Sequence, residues 1–304
     1  MNAPHVVAPL APLVLLCMAS SALATDTVTL SLRAVPRKAP ERTEPSAEAL
    51  TQQDKRQQAE VRRLTKEKIA ELAVARIQRR LRAAEIKQAD VRIGRQGSID
   101  ITVHGAPSRP WVEGLVLSPG RMEVRPSLDE GVVWIDVLDR AQPDGVELRQ
   151  ERAGDFLSSY AWSTQRDPLD ALLKLAPPSG ALYAVGPDPR GGWRTWSLGA
   201  PVVREHEIAA ARVQTTSTGS SYVAVQLKPG AAGALRGAGK PERYGVLIDG
   251  EFIASLPRPQ GSSRSSFVLD CPASLGGQQA RRDCARQVAG RLSAPIPVLL
   301  APLP

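Results

Sequence analysis

The sequence predicts an α+β fold, and three observations carry the prediction. An alternating apolar and polar segment near the start, Val28–Val35, is followed by a long charged helical segment. The middle of the chain is rich in glycine and proline and contains only short apolar runs. A helical pattern and a short apolar strand then close the chain. Helix and strand signals at both ends therefore enclose a β-rich middle, which is the α+β pattern.

Composition excludes several protein classes. The chain has 304 residues, of which 42% are hydrophobic and 23% charged, with 24 glycines and 26 prolines. These values exclude a collagen-like, low-complexity or wholly disordered chain and allow one large domain or two ordinary ones. The formal charge of +8 raises the question of an acidic partner. Nucleic acid is not expected, because basic residues are scattered through every segment and exposed interleaved aromatics are lacking.

Residues 1–24 are expected to be a cleaved signal peptide. An uncharged apolar stretch ends in Ala22-Leu23-Ala24, which fits the small-x-small cleavage rule and places the mature start near Thr25. The alternatives are an uncleaved N-terminal membrane anchor and a lipoprotein, although bulky Leu16 makes Cys17 a poor lipidation site. We therefore expect a periplasmic, exported protein that is at most peripheral to the membrane.

Secondary-structure signals are clear in the first part of the mature chain. After the strand Val28–Val35, a polar linker at 36–45 contains three prolines. A long charged helix is expected over 46–84, with an apolar stripe that recurs every three to five residues. The runs Val91–Ile93 and Ile99–Val103 then flank a glycine-containing turn, which predicts a hairpin.

The middle region gives weaker signals. Short apolar runs predict strands and loops of a second unit, and these runs are Gly114–Leu117, Val132–Leu138 and Ala181–Val185. A short helix is expected at Ile208–Val213 and a strand at Tyr222–Leu227.

The last part of the chain contains the strongest local signal. Asp249-Gly250 separates Tyr244–Ile248 from Glu251–Ala254, and this dipeptide is typical of a type I′ hairpin. A helix is then expected at Gln278–Leu292, with Ala280, Cys284, Val288 and Leu292 on its packed face, and a strand at Pro297–Leu300.

Two cysteines remain after the predicted signal, Cys271 and Cys284. In an oxidising compartment a disulfide between them is the simplest interpretation. A redox-active pair is the less favoured alternative, since the spacing is not Cys-x-x-Cys, and a metal site would need ligands that are not nearby.

Catalytic motifs are missing from the sequence, so no enzyme activity, cofactor or metal is expected. His104 and His206 stand in no spaced ligand motif. Asp167 and Asp170 are expected to cap a helix rather than to catalyse. Glycines in Pro189–Trp193 suggest a turn or a close approach to a ligand. Trp193 and Trp196 are expected in a core, with a peptide groove as the alternative.

The order of the motifs resembles a known family. The stretch Val74–Val103, an arginine- and leucine-containing helix leading into a hairpin, looks like the first periplasmic domain of SecD, a membrane subunit of the bacterial Sec export machinery. Gly114–Arg125 resembles the short helix and strand that follow there. Gly199–Arg212 is similar to the family's Pro-Val-Leu stretch with the acidic helix that follows it, and Tyr244–Pro257 to its Asp-Gly hairpin ending in proline. The tail, Ala280–Leu300, resembles the family's closing helix and Leu-Pro-x-Pro strand. The family's Asp-Leu-x-Gly-Gly signature is absent from this sequence.

The resemblance implies a ferredoxin-like base, formed by both ends of the mature chain, with an inserted β-rich head. The implied base comprises 25–130 and 272–304, and the head comprises 131–271. The implied function is binding of exported or unfolded polypeptide to assist protein export, without a membrane pump of its own and with Sec translocon components as further partners. The alternative is a structural or protein-interaction module of the cell envelope that has kept the fold and lost the export role. The sequence does not identify polypeptide-binding residues.

Overall fold

The computed structural model describes most of the chain after the first strand. The described residues are 27–35, 66–128, 131–153, 156–177, 179–237, 243–257, 265–271, 277–296 and 299–302. The predicted signal peptide, the linker at 36–45 and the first part of the long helix lie outside them.

The described residues form six helices and fifteen strands. The helices are α1 (Lys66–Ala83), α2 (Arg109–Leu117), α3 (Gly131–Arg140), α4 (Asp167–Leu173), α5 (Pro229–Gly237) and α6 (Gln278–Ser293). The strands are β1 (Thr27–Val35), β2 (Ala89–Ile93), β3 (Ser98–His104), β4 (Met122–Pro126), β5 (Glu147–Ala153), β6 (Phe156–Ser163), β7 (Leu182–Pro187), β8 (Trp193–Leu198), β9 (Val203–Arg204), β10 (Ile208–Thr215), β11 (Ser221–Leu227), β12 (Arg243–Ile248), β13 (Glu251–Pro257), β14 (Ser266–Asp270) and β15 (Leu299–Pro302). The α+β class expected from the sequence is thus confirmed.

The two ends of the chain meet in one antiparallel sheet, which we call the terminal sheet. Its strand order is β15-β1-β3-β2, so the last described strand pairs with the first. Strand β1 buries Val28, Leu30 and Leu32, because alternate residues of a strand point to the same face. The expected strand at Val28–Val35 and the hairpin of β2 and β3 are confirmed.

Helix α1 packs its apolar stripe on the terminal sheet. Ile69, Ala73, Ile77 and Leu81 are buried at helical spacing in the same core as the strands. Helix α2 adds Val112 and Leu115 to this core, which is therefore built from both helices and the sheet.

A second core lies between two further sheets. The sheets have the orders β13-β12-β4-β9 and β10-β11-β14, and α5 and α6 pack with them. The buried face of α6 includes Ala285, Val288, Ala289 and Leu292, whereas Ala280 is exposed. The expected helix is confirmed, and of its predicted packed face Val288 and Leu292 are buried and Cys284 packs against the core, whereas the prediction for Ala280 is wrong. Most buried side chains of α6 serve the second core.

The third core belongs to a sheet that we call the inserted sheet, with the order β5-β6-β8-β7. Helices α3 and α4 cover one of its faces, and Trp134, Leu169 and Leu172 are buried between them and the strands. In sequence, the elements of this unit lie between β4 and β9.

Three sequence predictions in the middle region were wrong. Gly114–Leu117 and Val132–Leu138 are helical, because short apolar runs do not by themselves distinguish a buried strand from a buried helix. Ile208–Val213 belongs to strand β10, where pairing with β11 overrides the helix preference of its alanines. The strand predicted within Ala181–Val185 is confirmed as β7.

The remaining local predictions can be checked on the described residues. Asp249 and Gly250 have φ angles of 55° and 86° and join β12 to β13, as a type I′ hairpin requires. Tyr222–Leu227 is confirmed within β11. The closing strand begins at Leu299, and Pro297 lies outside the described residues. Within the described ranges we find no helix with the length and apolar character needed to span a membrane.

Candidate functional site

A buried arginine joins helices α1, α2 and α6. Arg80, on α1, has no exposed surface, and its guanidinium donates hydrogen bonds to four backbone carbonyls. Three acceptors lie at the end of α2, namely Leu115 in its last turn, the C-cap residue Ser118, and Pro119. The fourth acceptor, Ala294, is the C-cap residue of α6. Carbonyls at helix C-termini lack intrahelical partners and carry partial negative charge, so a cation is favoured there.

Burial lowers the pKa of Arg80 to about 9, well below its usual range; Asp249 opposes the shift, whereas the nearby Arg291 and Arg76 add to it. The guanidinium therefore remains charged at neutral pH. Its role is to hold α1, α2 and α6 together.

A second polar group, the Asp249 carboxylate, connects the Asp-Gly hairpin to the ends of these helices. The Asp249 carboxylate accepts hydrogen bonds from the Arg291 guanidinium at 2.6 Å, from the backbone N–H of Arg121 at 2.7 Å, and from the Ser118 hydroxyl. Burial alone would raise the pKa of Asp249, but these hydrogen bonds outweigh it and lower the pKa. The hairpin turn is thus also an ionic contact between the second core and the ends of α2 and α6. We call Arg80, Ser118, Asp249 and Arg291 the polar joint.

The inserted sheet presents a different kind of surface on the face away from α3 and α4. Strand pairing places Arg149 opposite Tyr160, and Trp162 opposite Arg194. Residues paired in this way lie on the same face, and alternate residues of each strand share that face. The resulting set, which we call the arginine-aromatic face, comprises Glu147, Arg149, Glu151, Tyr160, Trp162, Arg194 and Trp196.

One end of this face is closed by the second core's sheet. Trp196 stacks on Phe252 of β13 with 5.0 Å between ring centroids, and Leu198 and Leu247 join the same small cluster. Toward the other end, Arg149 lies over the Trp162 ring at 3.2 Å and Trp162 is half-buried. The face therefore runs from a closed apolar end to an open end that contains arginine and tryptophan.

Four charged side chains form a cluster where the face meets β12. Arg194 lies 3.5 Å from the Tyr160 ring and 4.3 Å from the Trp196 ring, and it binds Glu151 at 2.6 Å. Two further guanidinium groups, those of Arg190 and Arg243, approach Glu151 at 3.6 and 3.8 Å. Burial opposes ionisation of Glu151, but the hydrogen bond from Arg194 and the charges of the three arginines lower its pKa. Glu151 is therefore ionised at neutral pH.

The turn before β8 positions this cluster. Gly192 has φ +78°, and a Cβ atom there would lie 2.7 Å from the Ser163 carbonyl oxygen and 2.9 Å from the Trp162 ring. Only glycine fits this close approach and this backbone angle. The predicted turn within Pro189–Trp193 is therefore observed, and it brings Arg190 to Glu151.

The other residues selected from the sequence do not form a site together. Cys271 and Cys284 are joined in a disulfide that connects the end of β14 to α6. His104 contacts Thr27 at 3.0 Å in the terminal sheet, whereas His206 lies in the short turn Glu205–Glu207. The described residues contain no group of three or more histidine, cysteine or acidic side chains that could hold a metal ion.

Two further expectations have clear outcomes. Asp167 and Asp170 lie in the first turn of α4, but no side chain caps this helix, so the predicted cap is wrong. Asp170 instead accepts a hydrogen bond from Arg166 at 3.0 Å. Trp196 is buried as expected for a core residue, and Trp193 is half-buried with Arg166 near its ring.

In comparisons with known proteins, the chain is similar in structure to solved SecDF structures. No family model and no curated protein matches the chain. A SecDF structure in a super-membrane-facing form matches with 15% identity and a TM-score of 0.47, covering 92% of this chain and 30% of the other. A structure described as a membrane component SecDF that enhances protein export matches with 14% identity and a TM-score of 0.45, covering 91% of this chain and 98% of the other.

SecDF from Thermus thermophilus, described as a translocon-associated membrane protein, matches with 15% identity and a TM-score of 0.32. This match covers 92% of the chain and 30% of the other protein. The chain thus spans less than a third of the length of two of these SecDF chains.

Proposed function

We propose that this protein is an exported, SecD-like periplasmic domain that binds polypeptide and assists protein export. The observation that carries the proposal is the pairing of β15 with β1, which brings the first and last described strands into one sheet. The motif order on which the SecD resemblance rests implies this arrangement. The proposal assigns no catalytic step, because the clusters described above are ionic contacts and packed rings.

The terminal sheet supports a ferredoxin-like base. Its elements follow the order strand, helix, strand, strand, helix, strand, and the sheet order β15-β1-β3-β2 keeps every neighbouring pair antiparallel. The base would comprise 25–130 and 272–304, and the head 131–271. Within these bounds, β4 and most of the buried face of α6 contribute to the second core, so the base and the head share elements.

The arginine-aromatic face is the surface that best suits polypeptide binding in the proposed head. Tyr160, Trp196 and Arg194 are buried within it, whereas Trp162 is half-buried and Arg149 is partly exposed. Tryptophan and arginine are among the residue types that most often dominate binding at protein interfaces. Its open end carries Arg149 and Trp162, which offer apolar surface and hydrogen-bond donors to a chain without fixed structure.

Mild cross-linking in the cell envelope tests the proposal. Pull-down of the cross-linked protein is expected to recover unfolded exported proteins and components of the Sec membrane machinery. Recovery of a single folded envelope protein, with neither of those classes, would contradict the export role and favour a structural or interaction module.

A further inference from the structure

The cluster around Glu151 contains more positive than negative charge. Three guanidinium groups, those of Arg190, Arg194 and Arg243, surround one carboxylate. A second carboxylate, that of Asp188, lies close to the same cluster and accepts a hydrogen bond from the backbone N–H of Arg190 at 2.7 Å. The five groups together carry one positive charge in excess.

The three arginines differ in their accessibility. The Arg194 side chain is only 6% exposed and is fixed by Glu151 and two aromatic rings. The Arg190 and Arg243 side chains are 62% and 34% exposed, and both contact Glu151 at distances longer than a hydrogen bond. Because each guanidinium has five N–H donors, these two arginines have donors left for a second acceptor.

Buried polar atoms of the same region also lack partners. Among the described residues, no hydrogen-bond partner reaches Arg194 Nε, Trp196 Nε1 or Asp188 Oδ2, although all three atoms are buried. Buried polar groups are normally satisfied. Arg194 Nε and Trp196 Nε1 are donors that a carboxylate oxygen would satisfy, whereas Asp188 Oδ2 is an acceptor that a carboxylate would not satisfy. The unpaired atoms belong to β8 and the preceding turn, which also carries Arg190, whereas Arg243 reaches Glu151 from β12.

We infer that Arg190 and Arg243 bind the carboxylate of an aspartate or glutamate side chain in an extended polypeptide, with the Arg149–Trp162 stack as the adjoining surface. This inference rests on the proposed function and adds its sequence preference. A single excess positive charge matches a monoanionic carboxylate. A phosphate group, which carries about −1.5 to −2 at neutral pH, exceeds the single positive charge of the cluster and would leave the bound site negatively charged.

Binding of matched peptides tests the inference. Otherwise identical unstructured peptides carry Asp, Asn or Lys at their central positions, and fluorescence anisotropy measures their Kd for the purified protein. We expect the Asp peptide to bind about five- to tenfold more tightly than the Asn peptide, with a preference that weakens as salt is added.

Substituted variants test whether Arg190 and Arg243 cause the preference for the Asp peptide. The double substitution Arg190→Ala with Arg243→Ala is expected to bring the Asp peptide to the affinity of the Asn peptide. The control is Arg79→Ala with Arg82→Ala, which removes the same charge from exposed positions on α1 and is expected to keep the preference. Arg190→Glu, at a largely exposed position, is expected to shift the preference toward the Lys peptide.

The outcomes separate this inference from the proposed function. Equal binding of the Asp and Asn peptides would overturn the carboxylate preference and leave polypeptide binding intact. Failure of every peptide to bind would overturn polypeptide binding itself. Binding to anionic lipid vesicles that is lost with the Arg190 and Arg243 substitutions, without discrimination among peptides, would also overturn the inference.

Discussion

Replacing Arg80 by methionine is expected to destabilise the whole molecule, because four backbone carbonyls accept hydrogen bonds from this one side chain. Only the Pro119 carbonyl has a second donor, the backbone N–H of Ile296, among the hydrogen bonds of the described residues. Methionine preserves much of the aliphatic volume but has no donor. The substitution therefore leaves the carbonyls of Leu115, Ser118, Pro119 and Ala294 without the guanidinium. Two helix ends lose their cation at the same time.

Two opposing effects set the size of the loss. Leaving a buried acceptor unpaired costs about 1–3 kcal/mol each, while removing a buried charge recovers part of its desolvation penalty. We expect Arg80→Met to lower the free energy of unfolding by about 3–5 kcal/mol, the range typical of removing one partner from a buried ionic contact. Arg80→Lys keeps the charge but has only three donors on one atom, so a smaller loss is expected.

Urea unfolding followed by circular dichroism and tryptophan fluorescence measures this loss. The control is Arg79→Met, one residue earlier on the exposed side of α1, which is expected to change the free energy of unfolding by no more than about 0.5 kcal/mol. If Arg80→Met costs less than about 1 kcal/mol, the guanidinium does not hold the helix ends together and the account of the polar joint is wrong.

Three further predictions follow from the joint, the disulfide and the terminal sheet. Asp249→Asn is expected to cost about 1–3 kcal/mol at neutral pH. The pKa of Asp249 is lowered from 3.8 in the folded protein, so its contribution is present above that value and is lost as the pH falls through the lower one. The stability difference between wild type and Asp249→Asn should therefore shrink in acid, and a constant difference would contradict the ionic contact. Reduction of Cys271–Cys284, which are 13 positions apart, is expected to lower stability by about 2–3 kcal/mol in urea unfolding, and unchanged stability would contradict a stabilising bridge. Deletion of 299–304 is expected to speed hydrogen exchange in β1 and β3 while β12 and β13 stay protected, because cooperative units can open separately. Unchanged protection of β1 would contradict the role of β15.

Local sequence patterns were sufficient to predict the secondary structure of segments whose own residues determine it. The alternation in β1 and the Asp-Gly dipeptide between β12 and β13 were both interpreted correctly, since strand period and turn geometry depend on neighbouring residues. Local sequence patterns did not predict the secondary structure of Val132–Leu138 and Ile208–Val213 correctly. Their state is decided by packing on β6 and by pairing with β11, which lie elsewhere in the chain.

The polar joint was missed for a related reason. Arg80 stands in a run of basic residues, and only its place after Ala73 and Ile77 on the buried stripe distinguishes it from Arg79. That spacing was a usable signal. No local sequence pattern predicted the ionic role of Asp249, because its partners Ser118 and Arg291 are far away in sequence.

The arginine-aromatic face could not be assembled from the sequence. Its members come from β5, β6 and β8, and only the strand register brings Arg149 beside Tyr160 and Arg194 beside Trp162. The glycines of Pro189–Trp193 and the two tryptophans nearby were recognised as features of interest, but Glu151 and Arg243 were not.

Binding of one exported protein in two states tests polypeptide binding most directly. Fluorescence anisotropy compares the affinity of this protein for a permanently unfolded variant of that exported protein and for its natively folded form. The account predicts measurable binding to the unfolded chain, weakened by substituting Arg149 and Trp162 with alanine, and no binding to the folded form. Equal affinity for both forms, or no binding to the unfolded chain, would contradict a role in handling exported polypeptide.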